Sequence, residues 1–278
     1  MEDHTATGVA AHPAPALRRY VDSYVGFDLR GLPAGVHCGP PSRAFTAVIS
    51  LSVPLELSAS VDGGAPVTRF SSVAGGLMCR SVAIHHDGRQ QGVQLSLTPL
   101  GARAIYGVPA AELAQRLVPL DELRGALAVE LVDRLRAATT WAARFTALDE
   151  LLLRAVGRCA GGDRAPRERP EVAEAWRRLV AARGCVRVGA IAAELGWSRR
   201  YLTERFRGEM GLSPKTFPRV LRFEHAHELA AAQDPLPWAD VASVSGYADQ
   251  AHLVRDWREF TNRTPTAWRR GEVLLGAG

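Results

Sequence analysis

Arg199, Arg200, Thr203, Glu204 and Arg207 recur at helical spacing, so they share one face of a helix opposite Leu202 and Phe206. As a set they are hydrogen-bonding groups that match base-pair edges. Arg200 and Arg207 suit guanine or a phosphate, Thr203 a thymine methyl or a phosphate, and Glu204 a cytosine amine. Glu204 has a second reading of equal weight, an intrahelical ion pair with Arg200 or Arg207. A similar face lies about 50 residues further on, where Gln250, Ala251, Val254, Arg255 and Arg258 stand opposite Leu253 and Trp257. There Gln250, His252 and Arg255 are the polar candidates, and Gln250 suits adenine. Ala251 and Val254 offer only apolar contact, as to thymine methyls.

The elements that must hold these faces are themselves repeated. Ile191, Ala192, Gly196 and Trp197 match Val241, Ala242, Gly246 and Tyr247 at an offset of 50. After one inserted residue, Leu202, Phe206, Arg207, Gly211, Pro214 and Phe217 match Leu253, Trp257, Arg258, Asn262, Pro265 and Trp268 at 51. Each copy reads as two short helices crossing at a tight turn, over about 188–210 and 239–261. Ala192 and Ala242 keep the first helix thin. Gly196 and Gly246 sit where the chain leaves it, a place that favours a left-handed backbone. Ser198 and Asp249 can each cap the second helix. Trp176, Trp197, Tyr247, Trp257 and Trp268 fall at core positions, so packing is expected of them rather than base stacking.

With these motifs in place, residues from about 170 to 271 resemble the DNA-binding domain of the AraC/XylS family of bacterial transcription regulators. The stretches that carry the resemblance are Gly211 to Phe217, Gly246 to Leu253 and Thr264 to Trp268. The resemblance implies an all-α domain of seven helices, with two helix-turn-helix units on a long linker helix and double-stranded DNA as partner. The DNA-contacting set it implies is Ser198, Arg199, Arg200, Thr203, Glu204, Arg207, Lys215, Asp249, Gln250, Ala251, His252, Arg255 and Arg258. The linker helix is expected from Ser213 as cap and Pro214 in the first turn to Ala232, roughly 28 Å at ~1.5 Å per residue. Pro218 departs from the family pattern and is expected to bend that helix near its start.

The chain has 278 residues, 47% hydrophobic, enough for two domains. Its formal charge is +5, and Lys215 is the single lysine among 34 basic residues. Charge is uneven: residues 177–222 hold 11 basic and 3 acidic residues, whereas 223–278 hold 5 and 8. The first unit is therefore expected to supply most of the affinity and specificity, and the second to clamp phosphates. Cys38, Cys79, Cys159 and Cys185 lack the C-x-x-C spacing and read as reduced thiols. No signal peptide and no membrane-spanning run is legible, so a cytoplasmic, nucleoid-associated protein without membrane contact is expected.

Residues 18 to about 100 read as β. Strands are expected at Phe45–Leu51, at Leu55–Val61 and Val67–Phe70 around the turn Asp62-Gly63-Gly64, and at Arg80–His86 and Gly92–Thr98 around Asp87-Gly88. Helices follow at Leu100–Tyr106, Pro109–Arg116, Asp121–Ala137 and Trp141–Arg158. The Gly- and Pro-rich stretch at 158–170, with Gly161-Gly162 at its centre, reads as a linker between domains at 1–157 and 171–272. The fold class is thus α+β: a β-rich domain with trailing helices, then an all-α domain.

In the AraC/XylS layout the β domain is often a cupin-like barrel that binds a small effector. The helices after it form a homodimer, and RNA polymerase is a further partner. The segment Ser81 to Gly107 also resembles regulatory domains of an actinobacterial subgroup. His86, Arg43 and Gln94 are the candidate effector contacts. A protein partner for this domain is the alternative. Leu127, Leu131 and Leu135 either face a second copy or pack on the domain's own sheet. His37, Cys38, Cys79, His85 and His86 show no ligand spacing, so neither metal nor cofactor is expected. No catalytic triad or phosphate loop is legible, and Cys38 and Cys79 are too few for an alkyl-accepting zinc site.

Overall fold

The computed structural model describes residues 5–59, 65–160, 169–232 and 234–271. In chain order its strands are β1 (Thr5–Ala11), β2 (Val21–Arg30), β3 (Gly35–Gly39), β4 (Phe45–Ser50), β5 (Leu55–Ser58), β6 (Thr68–Phe70), β7 (Ser72–Gly75), β8 (Val82–His86), β9 (Gln90–Leu97) and β10 (Leu117–Pro119). One antiparallel sheet runs β1-β2-β9-β4-β7-β10 and the other β3-β8-β5-β6. The alternation along the first sheet serves two interiors. Phe45, Ala47 and Ile49 of β4, with Val93, Leu95 and Leu97 of β9, are buried against the helices that follow. Thr46, Val48 and Gln94 point the other way, toward the second sheet, and help line the space between the two.

Two expectations for the strands need correction. The segments around Asp87-Gly88 do not form a hairpin: β8 pairs with β3 and β5, and β9 with β2 and β4. The turn instead carries the chain from one sheet to the other. Gly88 has φ +96°, and a Cβ there would lie 2.0 Å from the Leu32 carbonyl oxygen, so the close packing of this crossing requires glycine. β1 lies ahead of the expected β region. Its small residues show no apolar alternation, yet it pairs with β2 along its whole length. β5 and β6 do pair, while their turn at Asp62-Gly63-Gly64 lies outside the described residues.

Helix α1 (Pro99–Tyr106) starts where Thr98 Oγ1 accepts the Gly101 amide at 3.0 Å, and it stops at Gly107 with φ +76°. The helix expected at Pro109–Arg116 is only a 3-10 turn, Ala110–Leu113. Gln115 has φ +58°, which ends the turn and lets β10 join β7. In α2 (Leu120–Ala137) the backbone leaves helical geometry at Arg124, whose guanidinium takes up the Ala104 and Ile105 carbonyls at the end of α1. Leu127, Leu131 and Leu135 are buried within this chain, so they pack at home and present no face to a second copy. Helix α3 (Trp141–Ala160) runs past Gly157 into the stretch read as linker, and Gly161-Gly162 lies outside the described residues.

Among the described residues that follow there are seven helices: α4 (Pro170–Ala181), α5 (Val188–Glu194), α6 (Arg199–Met210), α7 (Phe217–Ala231), α8 (Trp238–Val244), α9 (Gln250–Thr261) and α10 (Pro265–Gly271). The linker helix α7 begins later than expected. Ser213 to Thr216 form a turn in which Ser213 Oγ accepts the Thr216 amide at 3.0 Å. Pro218 therefore falls in the first turn of α7, where no intrahelical partner is needed, and the expected interior position does not arise. The helix proper has 15 residues, ~22 Å at ~1.5 Å each, with the Ser213 turn supplying the rest of the span.

The two halves share one apolar core. Phe45 of β4 stacks on Trp176 of α4 at 6.3 Å between centroids, and Trp176 stacks on Phe217 of α7 at 4.2 Å. Polar ties cross the same boundary. Arg43 pairs with Glu224 of α7 at 3.1 Å, and the Ser81 amide donates to the Phe260 carbonyl at 2.7 Å.

Candidate nucleic-acid interface and ligand cavity

The repeat legible in the sequence is a repeat in atoms. The Trp197 amide donates to Ala192 at 2.8 Å, and the Tyr247 amide to Ala242 at 2.9 Å. Gly196 and Gly246 take φ +69° and +77°. Ser198 Oγ accepts the Tyr201 amide at 3.1 Å, and Asp249 Oδ1 accepts the His252 amide at 2.7 Å. Gly211 and Asn262 close α6 and α9 in the left-handed conformation, at φ +80° and +57°. Ser213 and Thr264 then each accept an amide three residues on. Ala192, Ala242, Leu202, Phe206, Leu253 and Trp257 are buried, so each second helix is held by its apolar face.

The opposite faces are open. Arg199, Arg200, Glu204 and Arg207 of α6 are exposed and line one surface depression with Thr203 and Gly208. Thr203 Oγ1 donates to the Arg199 carbonyl at 2.8 Å, so the hydroxyl is already engaged along the helix. Among the described residues Glu204 makes no ion pair, which leaves its carboxylate free on that face. On α9, Gln250, Ala251, Arg255 and Arg258 are exposed and Val254 half-buried. His252 turns toward its own unit, edge-on to Tyr247 at 5.1 Å. Lys215 is exposed in the turn before α7. Trp257 and Trp268 are buried together, so neither ring is free to stack on a base, and the half-buried Trp197 sits edge-on to Tyr201.

The acidity of the second unit has a partner that sequence spacing did not reveal. Arg219 of α7 donates to Asp256 at 2.8 Å and to Glu259 at 3.1 Å, both on α9. Hydrogen bonds to Glu259 and then Asp256 hold its pKa above the ordinary arginine value. The same contact lowers that of Glu259. The single guanidinium of Arg219 on the linker helix thus offsets part of the negative charge that Asp256 and Glu259 bring to the second unit. The clue available in the sequence was Asp256 on the apolar side of α9, between Leu253 and Phe260.

A cavity of about 510 Å³ lies between the two sheets. Of the three residues suggested for it, Gln94 lines it. Arg43 does not: its neighbours Ser42 and Ala44 face the cavity, while its own guanidinium turns outward to Glu224. Arg43 lies in the bend just before β4, where the Glu224 carboxylate draws its side chain away from the cavity. His86 stands behind the wall, its ring 5.3 Å from that of His37, which does line the cavity. Burial, with His86 adding to it, pushes the His37 pKa down to about 4. Among the described residues no group of three or more His, Cys, Asp or Glu side chains converges as metal ligands.

Residues 191–271 match a family described as a helix-turn-helix domain. An uncharacterized HTH-type transcriptional regulator of Staphylococcus aureus strain MSSA476 is 29% identical over 76 residues, which is 27% of this chain and 10% of that protein. The chain thus spans about a tenth of the length of the curated relatives it matches. The crystal structure of ToxT from Vibrio cholerae O395 is similar over 91% of this chain and 98% of its own, at 11% identity and a TM-score of 0.51. Unsaturated fatty acid bound ToxT from strain SCE256 matches over 97% of both chains, at 11% identity and a TM-score of 0.50. At such identity the likeness is one of fold. Residues 191–271 match a helix-turn-helix domain family, and the chain joins that region to a β-rich N-terminal part in a two-domain fold similar to that of ToxT.

Proposed function

We propose that this chain is a transcription regulator that reads double-stranded DNA through the outer faces of α6 and α9 and is controlled by a small molecule held between the N-terminal sheets. The observation that carries the reading is the pair of units with equivalent caps and turns, each with its apolar face buried and its polar face open. In this reading Arg199, Arg200, Arg207, Arg255 and Arg258 bind phosphate or guanine. Glu204 and Gln250 discriminate bases, and Lys215 contacts the backbone. Residues 1–157 are the regulatory unit and 171–272 the DNA-binding unit. RNA polymerase is its further partner and the cytoplasm its site of action. A homodimer would use what the outer helices leave exposed, such as Val129 of α2 and Leu153 of α3.

A cavity in place of a filled barrel supports a small molecule over a protein as effector. The fatty acid bound to ToxT, whose fold is shared, supports the same choice. Control follows from one stretch of chain. Gly39, Ser42 and Ala44 form cavity wall, Arg43 grips Glu224 of α7, and Phe45 stacks on Trp176. A ligand that shifts this stretch shifts the ties to the linker helix. The test is selection of bound sequences from a random duplex pool by the purified full chain. Enrichment of a defined motif supports the reading. A pool that stays random with the full chain and with residues 166–278 alone refutes it.

A further inference from the structure

The cavity's lining narrows the chemistry of what it can hold, given the effector reading above. We infer that the cavity takes an uncharged, largely apolar molecule with one hydrogen-bonding group, and discriminates against a free carboxylate. Its walls are aliphatic and aromatic, with Phe27, Leu29, Leu55, Leu57 and Ile84 drawn from both sheets. Among the described residues, no arginine, lysine, aspartate or glutamate lines it. The charged residues nearest in sequence turn away. Arg43 is held by Glu224, and Glu56, between Leu55 and Leu57, pairs with Arg69 outside. Among the described lining residues His37 is the one ionisable side chain, and its depressed pKa leaves it neutral at pH 7.

A polar contact is nevertheless provided. Gln94 sits in the middle of the first sheet, flanked in register by Val25 of β2 and Val48 of β4, and its side chain faces the cavity. Gln90 uses its amide on the His85 carbonyl at 3.2 Å, whereas the Gln94 amide makes no side-chain hydrogen bond to a described residue. An amide offers both donor and acceptor, so it suits a hydroxyl, ketone, ester or amide in the ligand. A carboxylate there would meet only neutral donors, such as the Gln94 amide and the Thr46 hydroxyl, and no counter-charge from the described lining.

The test compares matched probes on the purified full chain at pH 8 by calorimetry: 1-decanol against decanoate, and 2-acetylnaphthalene against 2-naphthoate. At least one neutral probe is expected to bind, about tenfold or more tighter than its carboxylate. Val48→Trp fills the cavity and should abolish that binding; Leu57→Phe serves if the first variant does not fold. Gln94→Arg supplies a counter-charge and should bring the carboxylate up to its neutral partner or beyond. A carboxylate that binds wild type as tightly as its neutral partner, and is lost with the filling variant, overturns the ligand class and leaves the effector cavity standing. Failure of both neutral probes, or binding that the filling variants leave unchanged, overturns the cavity reading together with the class.

Discussion

Replacing Arg219 with methionine isolates the contact that joins the linker helix α7 to α9. The variant keeps most of the apolar stem and removes the guanidinium, whose carbon lies over the Phe260 ring at 5.2 Å. It leaves the Asp256 carboxylate, 4% exposed, without its partner. Breaking a buried pair costs about 3–5 kcal/mol, but Arg219 is itself 28% exposed and Glu259 55%. Solvent screening brings the expected loss to about 2–3 kcal/mol, nearly all of it from Asp256. Urea unfolding of the full chain, followed by tryptophan fluorescence, measures it. Combining Arg219→Met with Asp256→Leu should recover most of the loss, because the stranded carboxylate is then gone. A single-variant loss below about 0.5 kcal/mol, or a double variant no more stable than the single, would refute the reasoning.

Arg200→Ala should weaken binding to the selected duplex by about 1–3 kcal/mol, and Arg255→Ala by less, in an anisotropy titration at fixed salt. Equal losses would sink the claim that the first unit dominates. Glu224→Gln removes the ion pair to Arg43 while keeping the shape. It should leave folding intact and reduce the change in DNA affinity that a cavity ligand produces; an unaltered response would show that the Arg43–Glu224 tie is not the route. His227, packed among Phe223, Trp257 and Trp268, has its pKa pushed by burial to about 4, below the ordinary histidine value. The unfolded chain therefore binds the proton first. Stability should be full above about pH 6.5 and fall toward pH 4, by up to about 3 kcal/mol from this residue. His227→Phe should flatten that part of the profile in urea unfolding at pH 7 and pH 4.5; parallel profiles would contradict it.

The C-terminal half was legible because its mechanics are local. Glycine at a left-handed turn, a cap, and apolar residues four apart each dictate structure within a few residues, and each occurs twice. Arg219 with Asp256 and Glu259 was not, because the pair spans some 40 residues and depends on how α7 packs on α9. The N-terminal half misled where two strands adjacent in sequence joined different sheets. A turn signature such as Asp87-Gly88 predicts a reversal of direction but not which neighbour the strand will find. The same limit applies to the cavity. Alternation in β9 marks two faces, yet the apolar face, Val93, Leu95 and Leu97, packs on helices, and the polar one, Gln94, looks into the barrel. Arg43 is expected at the cavity from sequence, whereas its uncharged neighbours Ser42 and Ala44 line the wall.

The measurement that bears most directly on two units reading one DNA is a hydroxyl-radical footprint of the full chain on its selected duplex. Two protected patches on one face, about one helical turn or 10 base pairs apart, are what α6 and α9 in adjacent major grooves would leave. Arg200→Ala should thin one patch and Arg255→Ala the other. A single patch that both variants weaken alike, or protection spread evenly around the duplex, would contradict the account.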